Sequence, residues 1–528
     1  MAVMKAFMRI FDYKDSQESR ILFVFLLCHF VVWSFLPFMR GVIPLDCVEA
    51  LSWGKNFVFG TDKHPPLSGW LAYYFYVLCF KLPESVYILS QIFVVLGLVY
   101  IYKIAQFFLS YKYALFATII LDTIIYYNFT SIEYNVNVVL LFLCPAFTYY
   151  FYKAFFGGLL RYWILTAIFA ALGVLDKYYM FLILACAFLA MCMLPTGRKA
   201  FGKKEFYIGV VVFIVLLTPH ILWMFDNDFM AISYILNRGG LQGISSVNTD
   251  GFLVKHIGYP IYFFLSQFIL VIPALCIFFI TRYKSLASAE QNFLHSKYHL
   301  IPPPHNDIKV YSTPEEQKYF LIIMAFGPIA LLMFISFISG IFLLPMWGTP
   351  LFFMFGIWLF YTFWIPDEIF KQRFFAIFVV VIHCLYIIAF IIMMLFTTSL
   401  RKNLDSEAFI FQVKDIWSAY MYDTPLLFTG GDMWLSSIIA IYFEAESKNK
   451  IKTFIDIDPK KNSWVDEKVL QEIKQKGILI VSGSPKELQS YADVFPHLQF
   501  VKEIKISSSN ILHQKKEQSV FVGIAKDP

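Results

Sequence analysis

Two carboxylates three residues apart, Asp46 and Glu49, precede the run Lys63-His64-Pro65-Pro66-Leu67. On a helix, positions three apart share a face, so both acids can point at one substrate. Such a carboxylate can take a proton from a hydroxyl, while Lys63 and His64 can meet an anion. The same residues also suit a charged loop solvated among lipid headgroups, and spacing alone leaves both readings open. Further along stand Glu133, Asn135 and Asn137, then Lys177 with Tyr178, and finally His220, Asp226 and Asp228. Each has a plainer use. Glu133 can open a helix favourably, Lys177 beside Asp176 can snorkel at a hairpin, and His220 can bond backbone at a helix end. Asp226 and Asp228 can simply solvate a loop.

The elements that must position these groups are membrane helices. Of 528 residues, 59% are hydrophobic and only 15% charged, against about 25% charged in soluble domains. That excludes a soluble enzyme, a disordered chain and a coiled coil. The net charge of +6 is small, and a nucleic-acid partner is not expected. Runs long enough to cross about 30 Å of hydrocarbon fall near 20–39, 84–104, 113–130, 136–153, 161–176, 177–194, 206–224, 256–280, 319–344, 347–365 and 374–397. The expected fold is therefore a polytopic α-helical membrane protein with about 11 spans.

Basic residues set the orientation. Lys5, Arg9, Lys14 and Arg20 precede the first span, with no small-residue cleavage site after it, which reads as a retained signal anchor. The segments Lys103–Lys112, Lys153–Arg161, Arg198–Lys204, Arg282–Lys318 and Lys371–Arg373 alternate correctly to be cytoplasmic. Residues 40–83, Asn128–Asn135, Asp226–Lys255 and Pro345–Trp347 then fall outside, together with everything beyond about 397. The 40–83 loop reads as two helices lying on the membrane surface, the second starting at Pro66 and rich in aromatic residues.

Residues 398–528 form a second unit. The stretch 401–528 holds 17 basic and 17 acidic side chains, an ordinary soluble balance. Short strand-like runs at Pro425–Thr429, Thr453–Ile457, Ile478–Val481, Phe500–Ile506 and Ser519–Ile524 alternate with helical ones, which predicts a small α/β domain. Its Gly430-Gly431-Asp432 turn lacks the spaced glycines of a nucleotide fingerprint. None of the eight cysteines lies beyond Cys384, so no disulfide framework is expected there. No zinc-type Cys/His spacing occurs, and no cofactor is certain, although Asp46, Glu49, His64 and His220 can gather around a divalent metal. Asp122 stands alone in mid-span. It either faces the bundle protonated or belongs to a polar pathway.

The stretch from Pro44 to Trp70 resembles the first outer loop of bacterial glycosyltransferases of the GT-C fold, in particular the PMT_2 group. That group includes aminoarabinose- and galacturonic-acid-type lipid A transferases. The likeness extends to Glu133-Tyr134-Asn135-Val136-Asn137, Lys177-Tyr178-Tyr179, Pro219-His220 with Asp226 and Asp228, and Trp347 with Pro350. It implies a GT-C transmembrane catalytic domain over 1–397 and a periplasmic α/β domain over 398–528. It also implies an inverting transfer from a polyprenyl-phosphate sugar to an envelope acceptor, lipid A or lipopolysaccharide core, in a bacterial inner membrane with the N-terminus cytoplasmic.

On that likeness Asp46 matches the loop base, with Glu49 as second acid, and Lys63, His64 and Lys177 would meet donor phosphate. Glu133, Asn135, Asn137, Tyr178, His220, Asp226 and Asp228 would line the substrate cavity. The sequence departs from its relatives in having Cys47 directly after the aspartate and Lys63-His64 before the prolines. Relatives differ in needing a divalent ion, so the resemblance leaves the metal open. Transfer to protein is the alternative. A lipid-sugar flippase fits less well, because transporters put their polar groups at the bilayer midplane, often in paired repeats.

Overall fold

The computed structural model describes residues 16–238, 250–287, 313–365, 369–447 and 449–528. Lys5, Arg9 and Lys14, residues 239–249 of the Asp226–Lys255 segment and residues 288–312 of the Arg282–Lys318 segment lie outside the described residues. Among those described, seven helices are long and apolar enough to cross a bilayer. They are Gln17–Met39, Ser85–Ala105, Val136–Gly157, Lys204–Asp226, Val254–Ala287, Pro314–Ser339 and Gln372–Phe396. Their outward residues, such as Val211, Val215, Ile269 and Val380, are apolar and exposed, as lipid contact requires.

The other four expected spans are shorter. Leu160–Asp176 and Met180–Met193 form a hairpin that turns at Lys177, as the charges predict. The stretches 113–130 and 347–365 are not continuous helices. In the first, the helix Tyr111–Ile119 gives way to two 3-10 turns, Leu121–Thr123 and Ile125–Tyr127. Asn128 accounts for the break, since its amide donates to the carbonyls of Asp122 and Ile124 and replaces the helical ladder. In the second, the 3-10 segment Pro345–Leu351 precedes a helix of only eight residues, Phe355–Thr362. Pro345 and Pro350 have no N–H to donate, which ends regular helix there. Hydropathy registers the burial of such segments but not their breaks.

The first loop contains two helices as expected, Leu45–Gly54 and Leu67–Leu78, the second starting one residue after Pro66. They meet at glycines. A Cβ on Gly54 would lie 1.9 Å from the Gly69 carbonyl oxygen and 2.6 Å from Tyr73 Cβ. Gly54→Ala is therefore expected to force the helices apart and destabilise the protein by about 1–3 kcal/mol, read as a lower melting temperature in detergent.

The tail folds around a five-stranded sheet, with β1 Phe428–Gly431, β2 Lys452–Ile455, β3 Ile478–Ser482, β4 Leu498–Ser509 and β5 Lys515–Ala525. The strand order is β2-β1-β3-β5-β4. β1 pairs in parallel with β2 and β3, whereas β5 runs antiparallel to β3 and β4. Helix Met433–Glu446 packs against both the sheet and helix Leu45–Gly54. Helix Ser406–Met421, absent from the sequence reading, leads into the domain.

The tail and the first loop are bonded directly. Lys55 Nζ lies 2.8 Å from the Glu444 carboxylate and donates to the Ile451 carbonyl at 3.0 Å. The Tyr73 hydroxyl donates to Glu444 at 3.1 Å, and that of Tyr76 to the Ile441 carbonyl at 3.0 Å.

Candidate active site

Asp46 sits in the first turn of helix Leu45–Gly54, where the helix dipole favours a carboxylate, and Glu49 follows on the same face. The turn before the next helix is built on Thr61. Its hydroxyl accepts from the backbone N–H groups of Lys63 (3.2 Å) and His64 (2.9 Å), and its own N–H donates to the His64 carbonyl at 2.9 Å. That turn aims Lys63 back at the acids, and its Nζ donates to Glu49 Oε1 at 2.6 Å. The His64 ring stands edge-on to Trp53.

A second element reaches in from the membrane helices. Asn135 caps helix Val136–Gly157, with its Oδ1 accepting from the Asn137 N–H at 2.9 Å. Its amide nitrogen donates to Asp46 Oδ2 at 3.1 Å. Lys177, at the hairpin turn, donates to Asn137 Oδ1 at 2.6 Å and lies 4.6 Å from the Tyr179 ring centre.

These groups border a cavity of about 490 Å³. Asp46, Glu49, Lys63, His64, Asn135, Asn137, Lys177 and Tyr178 all line it. Its other wall is apolar, formed by Leu332, Ile335, Ile341, Leu343, Met346 and Trp347. Glu133, His220, Asp226 and Asp228 do not border it. Glu133 turns away to Arg40, 3.0 Å off. His220 stands behind the wall. Its Nδ1 donates to the Phe59 carbonyl at 2.6 Å, leaving Nε2 to accept from the Tyr178 hydroxyl at 2.8 Å. Asp226 ends its helix, and Asp228 follows in a left-handed turn at φ 50°.

Among the lining residues that the sequence did not single out, two carry polar groups from an unexpected element. Tyr234 and Arg238 come from the short helix Met230–Arg238, inside what read as an outer loop. Its amphipathic pattern was the available signal. Lys63 Nζ lies 5.9 Å from the Tyr234 ring centre.

Burial pushes the Asp46 carboxyl up to about 6, helped by the charges of Glu49 and Glu133 and opposed by the Asn135 hydrogen bond. Burial also pushes His64 down to about 3, with the nearby charges of Lys177 and Lys63 adding to the effect. His64 therefore enters the cavity as a neutral imidazole, not as the expected cation. The cations are Lys63, engaged with Glu49, together with Lys177 and Arg238. Among the described residues, no three His, Cys, Asp or Glu ligand atoms converge in this cavity. The one such group, His29, Asp122 and His383, lies apart from it.

Residues 63–223 match the family model of dolichyl-phosphate-mannose-protein mannosyltransferases, PMT_2. Sequence comparison with curated proteins returns no match. Among solved structures, the chain is similar to ArnT from Cupriavidus metallidurans bound to undecaprenyl phosphate. The TM-score is 0.58 at 12% identity, over 94% of this chain and 97% of that one. The fold is of the GT-C type. The apo form of the same ArnT gives a TM-score of 0.55 at 12% identity, covering 96% and 98% of the two chains. An arabinofuranosyltransferase, AftD from Mycobacteria, superposes more loosely, with a TM-score of 0.43 at 11% identity over 96% of this chain and 42% of that one. In this GT-C chain the polar end of the cavity is built by the first loop and by the ends of membrane helices, so breaking either element would open it.

Proposed function

We propose that this chain is an inverting glycosyltransferase that moves a sugar from a polyprenyl-phosphate donor to an envelope acceptor, lipid A or lipopolysaccharide core. The reaction is assigned to the periplasmic face of a bacterial inner membrane. The observation that carries this reading is the two-sided cavity, with Asp46, Lys63 and Lys177 at one end and an apolar wall at the other. A lipid-linked sugar phosphate has the same two sides. Its size is in the usual range for a small-molecule site, roughly 300–1,000 Å³. The fold shared with an ArnT that holds undecaprenyl phosphate adds support.

In this reading the acceptor hydroxyl attacks the anomeric carbon from the face opposite the phosphate and gives its proton to Asp46. The bond from that carbon to the phosphate oxygen breaks, and the phosphate departs with the electron pair. Lys177 and Lys63 meet the charge that develops on it. Glu49 holds the Lys63 ammonium in place, and Asn135 orients Asp46. Where the acceptor is itself a phosphate, no proton need be taken and Asp46 orients the attacking oxygen. Contacts between the tail and the 40–83 loop support placing residues 398–528 on the same side as the cavity.

A base must be ionised to work. With the Asp46 carboxyl at about 6, kcat/KM is expected to rise tenfold per pH unit below 6 and to level off above it. A flat profile between pH 5 and 7 would argue against Asp46 as the base.

The family model over residues 63–223 favours one second reading, transfer to protein hydroxyls. Mass spectrometry of envelope lipids from cells with and without the gene separates the two. Loss of one sugar-sized increment from lipid A or core supports the proposal. Unchanged lipids with loss of sugar from envelope proteins would overturn it in favour of the second. If both were unchanged, no transferase reading would stand.

A further inference from the structure

His29, Asp122 and His383 are 93 and 261 residues apart and come from three separate elements. His29 belongs to the first span, Asp122 to the break after Tyr111–Ile119, and His383 to the span Gln372–Phe396. Their ligand atoms all lie within 4.8 Å of one another. His29 and Asp122 are buried, and the His383 side chain nearly so.

Hydrogen-bond partners decide where the protons sit. The Gln91 amide nitrogen donates to the Ser131 carbonyl and hydroxyl, at 3.4 and 3.2 Å, so its Oε1 faces His29 Nε2 at 3.0 Å. That oxygen only accepts, so His29 Nε2 carries a proton. The Val379 carbonyl, 2.8 Å from His383 Nδ1, likewise makes that nitrogen a donor. In a neutral imidazole the remaining nitrogen is a lone pair. Both remaining nitrogens face one atom, Asp122 Oδ2, at 2.8 Å from His29 Nδ1 and 3.0 Å from His383 Nε2. The second carboxylate oxygen, Oδ1, is buried and has no hydrogen-bond partner among the described residues.

Two lone pairs and a carboxylate converging without a cation would repel. A single added proton serves only one of the two nitrogens. Two protons would let both rings donate to Oδ2, but would set two imidazolium charges against one buried carboxylate and leave its Oδ1 still unused. One divalent ion satisfies both nitrogens and the carboxylate at once. The outer hydrogen bonds to Gln91 and Val379 are those that orient metal-bound histidines, fixing which nitrogen is free to bind.

We propose that His29 Nδ1, His383 Nε2 and the Asp122 carboxylate bind one divalent transition-metal ion of the zinc class. Two imidazoles and a carboxylate suit such an ion, and Asp122 Oδ1 or a water completes its shell. The ion pins the first and last long spans to the broken segment between them. This site is independent of the cavity and of the reaction assigned to it.

The test uses the purified full-length protein in detergent. Metal analysis after extensive dialysis is expected to show about one zinc per chain, falling at least about tenfold in Asp122→Asn and His383→Gln. After chelation, adding Co²⁺ to the wild type should give visible absorption bands from nitrogen and oxygen ligation, absent from His29→Gln. Wild-type protein without zinc that also gives no bands with Co²⁺ would overturn the proposal. So would metal content that does not change in all three variants. Wild-type metal and cobalt readings need no variant to fold, so the proposal remains testable if the substitutions are disruptive.

Discussion

Asp46→Asn is expected to lower transfer by about a hundred- to ten-thousand-fold in kcat, the usual contribution of one positioned base. The substitution keeps size and shape, and the new amide can still present an oxygen to Asn135, which now donates at 3.1 Å. Folding should therefore survive, and the melting temperature in detergent checks that it does. Turnover measured with a lipid-phosphate sugar and the acceptor identified from envelope lipids gives the decisive number. A kcat within about twofold of wild type would remove Asp46 from proton transfer. The pH rise through about 6 should vanish in the same variant, because the group that titrates is gone. A profile that keeps its rise would assign the titration to another residue.

Lys55→Met is expected to destabilise the protein by about 3–5 kcal/mol, the typical cost of leaving a buried charge without its partner. Lys55 and Glu444 have side chains 1% and 0% exposed, so water cannot replace the lost ammonium. Lys81 is only a distant substitute at 3.9 Å. The variant should melt earlier and become open to protease between the last span and helix Ser406–Met421, as the tail leaves the first loop. Adding Glu444→Gln removes the stranded charge; its one amide oxygen can still accept from the Ile451 N–H while its amide nitrogen donates to the Tyr73 hydroxyl, and this should recover most of the loss. A single variant as stable as wild type would show that this pair does not hold the tail to the loop.

Much of this molecule is written in local pattern. All five strands of the tail overlap the β-rich runs, although β1 shares only Phe428 and Thr429 with its run and β4 and β5 extend well beyond theirs in polar residues. Asp46, Glu49, Lys63 and His64 came from spacing within a single loop, and the cavity does gather them. What escaped depends on partners distant in the chain. Nothing in the sequence around Lys55 marks it as half of a buried pair, since Glu444 arrives 389 positions later. His64 carries a histidine's usual promise of charge, which burial beside Lys177 and Lys63 cancels. The breaks in 113–130 and 347–365 were invisible for another reason. Apolar content reports that a segment is buried, whereas Asn128 and the prolines decide whether it is a helix. Asp122 was noticed as costly, but its histidine neighbours lie on other elements.

The strand order also governs when the protein can be finished. β5, the last of these five strands in sequence, lies inside the sheet between β3 and β4. Until residues 515–525 have left the ribosome, β4 has no partner strand in the sheet and β3 is an open edge. Helix Met433–Glu446, which presents Glu444 to Lys55, rests on that unfinished sheet. The first loop emerges some four hundred residues earlier and must wait, with Lys55 unpaired, until β5 has been made. A stop codon just before Lys515 would therefore damage the molecule at both ends, leaving its earliest polar segment as exposed as its latest.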